Sequence, residues 1–219
     1  MYQFITPFRA FLCGPSMSGK TTLLMKIIQN RGEMLAAGDH QTTIKNIYYC
    51  YSVWQQSYDR IRTIEPQIKF IKGLDVVFNS IEPNSWLIID DLAESIEKWS
   101  EEMIQLFTVR SHHEKISVTI VLHNLFHQSK CMRTLALNCT HYIVYKVVRD
   151  SSSLITLNKQ IYPGQPKFLL SAYNQATSKP YGYIVIDLNQ NTPEELRVIS
   201  NIFDREITVY LPVSDRKRY

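Results

Sequence analysis

The sequence predicts an α/β fold in which helices cover both faces of a mainly parallel central β-sheet. Short apolar segments rich in β-branched and aromatic residues alternate with segments whose apolar residues have helical spacing. Two of the apolar segments run directly into polar motifs, as strands of a parallel sheet do at their carboxyl ends. Because the chain has 219 residues, of which 45% are hydrophobic, we expect one domain over residues 1–219 with a full three-layer sandwich.

The first polar motif is the stretch GPSMSGKT from Gly14 to Thr21, which matches the pattern G-x-x-x-x-G-K-[ST] at every fixed position. The apolar segment 10–13 before it predicts a buried strand, and the apolar spacing from Leu23 to Ile28 predicts a helix after it. In this setting the loop folds back, and its N–H groups surround an anion at the helix N-terminus. The sequence therefore predicts a site for the phosphates of a nucleotide.

The residue types within this loop define individual roles. Lys20 is expected to reach the β- and γ-phosphates, and the hydroxyl of Thr21 to ligate Mg²⁺. The residues expected to bind the nucleotide are Gly14, Pro15, Ser16, Met17, Ser18, Gly19, Lys20, Thr21 and Thr22.

The second polar motif is SWLIIDDL, residues 85–92, in which an apolar segment ends in two adjacent carboxylates. This pattern is typical of a buried parallel strand that delivers acids at its carboxyl end. Asp90 is the expected acid on the Mg²⁺ side, and Asp91 is placed to activate the attacking water as a general base. The alternative for Asp91 is that it caps the N-terminus of the helix that follows.

The helix predicted over Ala93–Arg110 ends in an arginine with two alternative roles. Arg110 either complements the helix dipole or acts as an arginine finger on the nucleotide of a neighbouring subunit. The next predicted strand, Ile116–Leu122, ends at His123 and Asn124. A polar side chain at this strand end either senses the γ-phosphate or caps the strand, and the spacing leaves both open.

The remaining elements complete the predicted sandwich. Further strands are predicted at 44–51, 140–146 and 181–188, and helices at 154–162, 167–177 and 193–203. The core then spans about residues 8–188. Residues 189–219 contribute the last of these helices, an edge strand at 207–211 and a basic tail. Trp54 and Tyr58, four residues apart, favour a packed helix face over a base-stacking surface.

Charge is unevenly distributed along the chain. The net charge is +4, but the acids concentrate before residue 115, and between Lys115 and Lys179 the only acid is Asp150. Such asymmetry either attracts a polyanion such as nucleic acid or merely keeps loops soluble. The candidate phosphate-contacting residues are Lys130, Lys146, Lys159 and Lys167.

The cysteines and the apolar segments indicate the cellular compartment in which we expect the protein. The four cysteines have no C-x-x-C spacing, which suits a reducing compartment. No apolar segment approaches the length of a membrane span, and the N-terminus has no signal-peptide pattern. We therefore expect a soluble, intracellular protein.

The two motifs, together with two longer stretches, resemble the FtsK/HerA-type genome-packaging ATPases. These stretches are RSHHEKISVTIVLHNLFHQSKCMRTLALNCTHYIVYKVVRD and IYPGQPKFLLSAYNQATSKPYGYIVIDL. The resemblance covers roughly residues 8–188 and is most specific to the enzymes of Maverick/Polinton elements, adintoviruses and virophages. The poxvirus packaging ATPase is a more distant relative in this comparison.

The resemblance implies an ATP- and Mg²⁺-dependent motor that moves double-stranded DNA into a preformed capsid. It implies a homo-oligomeric ring, pentameric or hexameric, that docks on capsid vertex proteins. It also implies a location in the cytoplasm or nucleus of the host, or on the virion. The implied strand order is 5-1-4-3-2, with the acid strand not adjacent to the phosphate-loop strand.

The resemblance also assigns residues. Lys20 and Thr21 match the phosphate-loop pair, Asp90 the Mg²⁺-side acid and Asp91 the catalytic acid. Relatives usually have glutamine where this chain has His123, so Asn124 or Gln128 is an alternative γ-phosphate sensor. The arginine that acts on a neighbouring subunit is Arg110, Arg133 or Arg149, with Arg110 favoured.

Two other classes of function share the phosphate loop. A small-molecule kinase would fit the chain length, but no arginine-rich lid segment is apparent and the acid pair suits activation of water. A nucleotide-gated interaction module would bind nucleotide without hydrolysing it. DNA-stimulated ATP turnover would distinguish a motor from both.

Overall fold

The central element of the structure, a computed structural model, is a mixed β-sheet. The structure describes residues 2–37, 44–125, 129–149 and 152–212. Gln128, Asp150 and the basic tail therefore lie outside the described residues. The strands are β1 (Phe4–Thr6), β2 (Arg9–Cys13), β3 (Leu35–Ala37), β4 (Asn46–Tyr51), β5 (Lys69–Lys72), β6 (Ser85–Asp90), β7 (Ser117–Leu122), β8 (His141–Tyr145), β9 (Tyr183–Asp187), β10 (Val198–Ser200) and β11 (Thr208–Val209).

Within the described ranges, nine of these strands form the main sheet in the order β11-β10-β9-β8-β2-β7-β6-β4-β5. The six strands from β8 to β5 run parallel, whereas β9, β10 and β11 add antiparallel pairs at one side. The phosphate-loop strand β2 lies between β8 and β7, so β7 separates it from the acid strand β6. When β2, β4, β6, β7 and β8 are numbered 1 to 5 along the chain, leaving out the edge strand β5, their order in the sheet is 5-1-4-3-2.

Helices cover both faces of the sheet. The helices are α1 (Lys20–Gln29), α2 (Arg31–Met34), α3 (Gln56–Ile64), α4 (Val77–Ser80), α5 (Ala93–Lys98), α6 (Ser100–Gln105), α7 (Ser111–His113), α8 (Lys130–Leu137), α9 (Ser152–Ile161) and α10 (Phe168–Ala176). Within the described part of the chain, none of them has the length and hydropathy to cross a membrane.

Alternate residues of each strand enter two separate hydrophobic cores. Residues such as Leu24 of α1 and Ile61 of α3 pack on one face with Trp86. Phe107 packs on the other face, together with Leu135 of α8. Because both faces are covered, β6 and β7 are buried along their whole length, which explains their nearly continuous apolar sequences. The predicted three-layer α/β sandwich is confirmed.

Two predicted helices differ from the structure. The helix expected over Ala93–Arg110 is interrupted at Trp99, between α5 and α6, and ends in a π-helical turn at Leu106–Arg110. The helix expected over 193–203 is wrong: a 3₁₀ turn at Glu194–Leu196 leads into β10, which pairs with β9. The β-branched residues of β10 are fully buried by this pairing, so tertiary contacts override the local helical pattern.

A buried polar cluster ties the N-terminus to the sheet. Asp187, at the end of β9, accepts hydrogen bonds from the Tyr2 hydroxyl at 2.6 Å, the Thr192 hydroxyl at 2.8 Å and the Asn189 N–H at 2.9 Å. The Nε2 atom of His141 lies 3.5 Å from its Oδ1 atom. Burial by itself would raise the pKa of Asp187, but His141 and these hydrogen bonds hold that pKa well below its usual value.

We therefore predict that Asp187→Asn lowers the free energy of unfolding at pH 7 by about 2–4 kcal/mol. A depressed pKa contributes stability above the unfolded value of about 3.9, and this contribution disappears as the pH falls toward the folded pKa. The difference between wild type and variant should thus start to shrink near pH 5 (about one unit above the unfolded pKa) and keep shrinking below the unfolded pKa toward the folded one. Urea unfolding at several pH values measures it, with the exposed Asp59→Asn as the control; a difference independent of pH would contradict the prediction.

Candidate nucleotide-binding site

The phosphate loop connects β2 to α1 and depends on two glycines. A Cβ atom on Gly14 would lie 2.7 Å from the Cβ atom of Tyr145, so no other residue fits there without a shift. Gly19 has a φ of 103°, in the left-handed region that glycine adopts readily. Met17 also has a positive φ and is almost fully exposed at the tip of the loop. The two glycines of the motif thus permit the tight fold of the loop.

The start of α1 is built to receive an anion. No side chain caps the helix at Gly19, and the first N–H groups of a helix have no partner within it. Residues Ser16–Thr22 line the pocket above this helix end. The Ser18 hydroxyl is buried without a hydrogen-bond partner among the described residues. Unpaired donors and the positive end of the helix dipole therefore meet where the phosphates are expected.

Lys20 is buried at the base of this pocket. Its Nζ atom donates to the carbonyl oxygens of Gly14, at 2.6 Å, and Pro15, at 2.9 Å. Burial lowers the pKa of Lys20, and the negative charge of Asp90 opposes that shift. The ammonium group is thus held by neutral carbonyls that a phosphate can replace as its partner.

Asp90 is the last residue of β6 and is held by two tyrosines. Its Oδ2 atom accepts hydrogen bonds from the hydroxyls of Tyr49, at 2.6 Å, and Tyr58, at 2.9 Å. Burial raises the pKa of Asp90, while the two hydroxyls and Lys20 act to lower it. With Oδ2 occupied in this way, Oδ1 is the carboxylate oxygen left to act as a metal ligand.

Sequence reasoning missed both tyrosines as site residues. Tyr58 was predicted to pack on a helix face, and it is indeed buried on α3. Tyr49 belongs to β4, the neighbour of β6 in the sheet. The pairing of β4 with β6 brings Tyr49 beside the acid, and no local pattern in IKNIYYCY signals that contact.

Asp91 differs from Asp90 in its backbone conformation, its exposure and its hydrogen-bond partner. It has a φ of 55° and half-exposed carboxylate oxygens, and Oδ1 lies 3.1 Å from Nε2 of His123. It does not cap the following helix, because the N-cap of α5 is Leu92 and no side chain caps that helix. Asp91 lines the pocket together with His123, and a strained backbone conformation of this kind is one that clusters at active sites.

The pocket encloses a cavity of about 880 Å³. Lys20, Thr21, Asp90, Asp91 and His123 all line it, so the structure brings both sequence motifs and the end of β7 together. Asn124 is exposed and is not among the lining residues. Of the two alternatives to His123 as a sensor, Asn124 therefore lies outside the pocket wall, and Gln128 lies outside the described residues.

Arg110 has a different environment from the one expected of an arginine finger. Its guanidinium donates to both carboxylate oxygens of Glu114, at 2.8 and 2.9 Å, and to the Phe78 carbonyl oxygen at 2.9 Å. Glu114 in turn accepts a backbone bond from Asn84, just before β6 begins. Arg110 thus lies at the sheet edge where β6 and β7 start, opposite the phosphate loop, and it has a structural role. These contacts engage the guanidinium of Arg110 within its own subunit.

The other basic candidates are on the surface. Arg133 and Arg149 are exposed, and so are the four lysines considered for DNA contact, Lys130, Lys146, Lys159 and Lys167. Lys130 begins α8 and Lys146 directly follows β8, so both lie near the edge of the sheet that carries the phosphate loop.

The fold, with its large and mostly parallel central sheet, is similar to that of solved nucleotide-hydrolysing proteins. The genome packaging NTPase B204 from Sulfolobus turreted icosahedral virus 2, solved with sulfate, is similar with a TM-score of 0.57 and 12% identity, over 94% of this chain and 97% of that chain. B204 from Sulfolobus turreted icosahedral virus, a DNA-packaging ATPase, is similar with a TM-score of 0.53 and 14% identity, over 95% and 98% of the two chains.

A third similar structure comes from a bacterium. ATPases 2 and 3 of EssC from Geobacillus thermodenitrificans match with a TM-score of 0.53 and 12% identity, over 98% of this chain and 42% of that one. No protein-family model and no curated protein matches the chain. At these identities the likeness establishes the fold, and the activity has to be argued from the site.

Proposed function

We propose that the chain is an ATPase motor that moves double-stranded viral DNA into a preformed capsid. The observation that carries the proposal is the convergence of Lys20, Asp90 and Asp91 on one open cavity, in a fold shared over nearly its full length with a genome packaging NTPase. We propose that the chain belongs with the genome-packaging ATPases of Maverick/Polinton elements, adintoviruses and virophages, which its motifs resemble.

The residues of the pocket divide the work of hydrolysis. Lys20 and the first N–H groups of α1 hold the phosphates and neutralise charge that develops on them. Thr21 and Asp90 hold Mg²⁺, which supplies further neutralisation when bound. Asp91 accepts a proton from the attacking water, and His123 orients Asp91 or contacts the γ-phosphate. A hard, oxygen-rich donor set of this kind suits Mg²⁺.

A ring is proposed because the pocket lacks one group that phosphoryl transfer uses. Among the described residues, no arginine lines the cavity, although an arginine that stabilises the transition state is common in this chemistry. A neighbouring subunit in a pentameric or hexameric ring can supply it, from the exposed Arg133 or Arg149. Hydrolysis would then depend on the assembly, as a motor that coordinates its subunits requires.

DNA is proposed as the partner on chemical grounds. A packaging motor must accept any sequence, so it has to hold phosphates and not read bases. Exposed lysines such as Lys130 and Lys146, near the phosphate-loop edge, suit that task. Capsid vertex proteins are the proposed docking partner, and we propose action inside the host cell or on the virion.

The test measures ATP hydrolysis with and without double-stranded DNA of random sequence, together with the native mass of the assembly. We expect the rate to rise several-fold with DNA, to depend on salt and to require the oligomer. Heparin serves as a control polyanion. A monomer that phosphorylates a metabolite, or one that binds ATP without turnover, would overturn the proposal in favour of a kinase or a nucleotide-gated module.

A further inference from the structure

The nucleotide pocket has a second end, on the other side of the phosphate loop from the acids. In the sheet, β7 and β6 lie on one side of β2, and they carry His123, Asp90 and Asp91. On the other side lie β8, β9 and β10. Aromatic residues from this second side also line the cavity: Tyr145, Tyr181, Tyr183 and Phe203.

We propose that this aromatic end binds the base of the nucleotide and that Tyr181 is the residue on which the base stacks. The inference rests on the proposed function, because it uses the orientation of a bound triphosphate. With the γ-phosphate next to Asp90, the rest of the nucleotide extends away from the acids, past Thr22 and Lys26 on α1. Both residues line the cavity; Thr22 directly follows the phosphate loop, and the ammonium group of Lys26 lies over the ring of Phe203.

The turn that carries Tyr181 presents its ring to the pocket. Tyr181 has a φ of 60°, a conformation that bulky residues rarely adopt, and its side chain is 72% exposed. The N–H of Gly182 donates to the Lys179 carbonyl oxygen at 3.0 Å, and a Cβ atom on Gly182 would collide with the Ala176 carbonyl oxygen. The backbone is therefore fixed on both sides of a strained residue whose ring does not enter the core.

The ring of Tyr181 lies at the start of α1. Its Cδ1 atom is 3.5 Å from the position that a Cβ atom on Gly19 would take. At 72% exposure Tyr181 contributes little to the core, and backbone strain of this kind concentrates at ligand-binding positions. Stacking of a nucleotide base on this ring explains why Tyr181 keeps its strained backbone conformation.

The neighbouring aromatic residues have a different role. Tyr145 is buried, its hydroxyl donates to the Gly19 carbonyl oxygen at 3.2 Å, and its ring centroid lies 5.3 Å from that of Tyr183. These two rings form the wall of the pocket. Phe203 lies under the ammonium group of Lys26, at 5.6 Å from the ring centroid, and leaves an apolar surface near the rim.

The polar groups at the aromatic end are few. Asn201 donates to the hydroxyl of Thr208 at 3.0 Å, so its carbonyl oxygen is the atom available to a base, and Asp204 offers a second acceptor beside it. Stacking then supplies most of the base affinity. Since a purine covers more of an aromatic ring than a pyrimidine does, we expect ATP and GTP to bind more tightly than CTP and UTP.

The experiment separates the base from the phosphates. Titration calorimetry with Mg²⁺ measures the binding of AMPPCP and of inorganic triphosphate to the wild type, Tyr181→Ala and Tyr181→Phe. We expect Tyr181→Ala to raise the Kd for AMPPCP about tenfold and to leave that for triphosphate unchanged. Tyr181→Phe should retain wild-type binding. Leu137→Ala, at an equally exposed position outside the pocket, is the control.

Each result has a defined meaning. Equal weakening of both ligands by Tyr181→Ala, or weakening of neither, overturns the inference about the base. A wild type that binds triphosphate as tightly as AMPPCP also overturns it, but leaves the phosphate site and the proposed ATPase intact. A wild type that binds neither ligand overturns the proposed function itself.

Discussion

We expect the Lys20→Met variant to lose about a thousandfold in kcat/KM for ATP. The Nζ atom of Lys20 rests on two loop carbonyls at the bottom of the pocket, and from there the ammonium group can follow charge onto the γ-phosphate. Methionine fills a similar volume without a charge. Steady-state hydrolysis of ATP with saturating Mg²⁺ and DNA measures the loss.

The fold should survive this change. Burial disfavours the charged form of Lys20, so an apolar side chain of similar length removes a desolvation cost. We expect the thermal midpoint of Lys20→Met to equal or exceed that of the wild type. Lys72→Met, at an exposed position on the edge strand β5, is the matched control and should keep full activity. Retained hydrolysis in a folded Lys20→Met protein would remove the phosphate loop from the mechanism.

The Asp91→Asn variant should separate binding from chemistry. We expect kcat to fall about a hundredfold to ten-thousandfold, while the Kd for ATP changes by no more than about twofold. The amide has nearly the shape of the carboxylate but cannot accept a proton from water. Asp91 lies at the pocket surface with His123 as its hydrogen-bond partner, so the substitution leaves the fold and the phosphate contacts in place.

Single-turnover hydrolysis and equilibrium binding, measured on the same preparation, give the two quantities. Glu94→Gln serves as the control, because Glu94 is an exposed acid three residues away in α5. If Asp91→Asn hydrolyses ATP as fast as the wild type, Asp91 is not the general base. If the variant instead loses ATP binding, Asp91 acts through the metal ion or the structure and not through proton transfer.

Much of the site was predictable because its motifs are local. The phosphate loop is contiguous in sequence, and its glycines act through the backbone conformation of their own positions, so the pattern from Gly14 to Thr21 determines the loop. Likewise, a continuous apolar segment that ends in two acids predicts a buried strand and places Asp90 and Asp91 at its end. The alternation of strands and helices was sufficient for the three-layer sandwich.

The helix prediction that was wrong depended on a partner far away in the sequence. Segment 193–203 has helical spacing, but its β-branched residues gain more burial by pairing with β9. Arg110 was predicted either to complement the helix dipole or to act on a neighbouring subunit, and its guanidinium pairs with Glu114, four residues along the chain, and with the Phe78 carbonyl oxygen. The pairing with β9 and the contact with Phe78 cannot be derived from residue spacing, because both depend on which surfaces the folded chain brings together.

By itself, the sequence determined that this chain has a phosphate-binding loop, an acid pair on a buried strand and a sheet covered on both faces. Only the tertiary structure decided what surrounds those groups: the two tyrosines on Asp90, the pairing of His123 with Asp91 and the aromatic end of the pocket. The physical reason is that backbone geometry and burial are encoded over a few neighbouring residues. The environment of a charge is set by side chains that the sheet order brings together from distant parts of the chain.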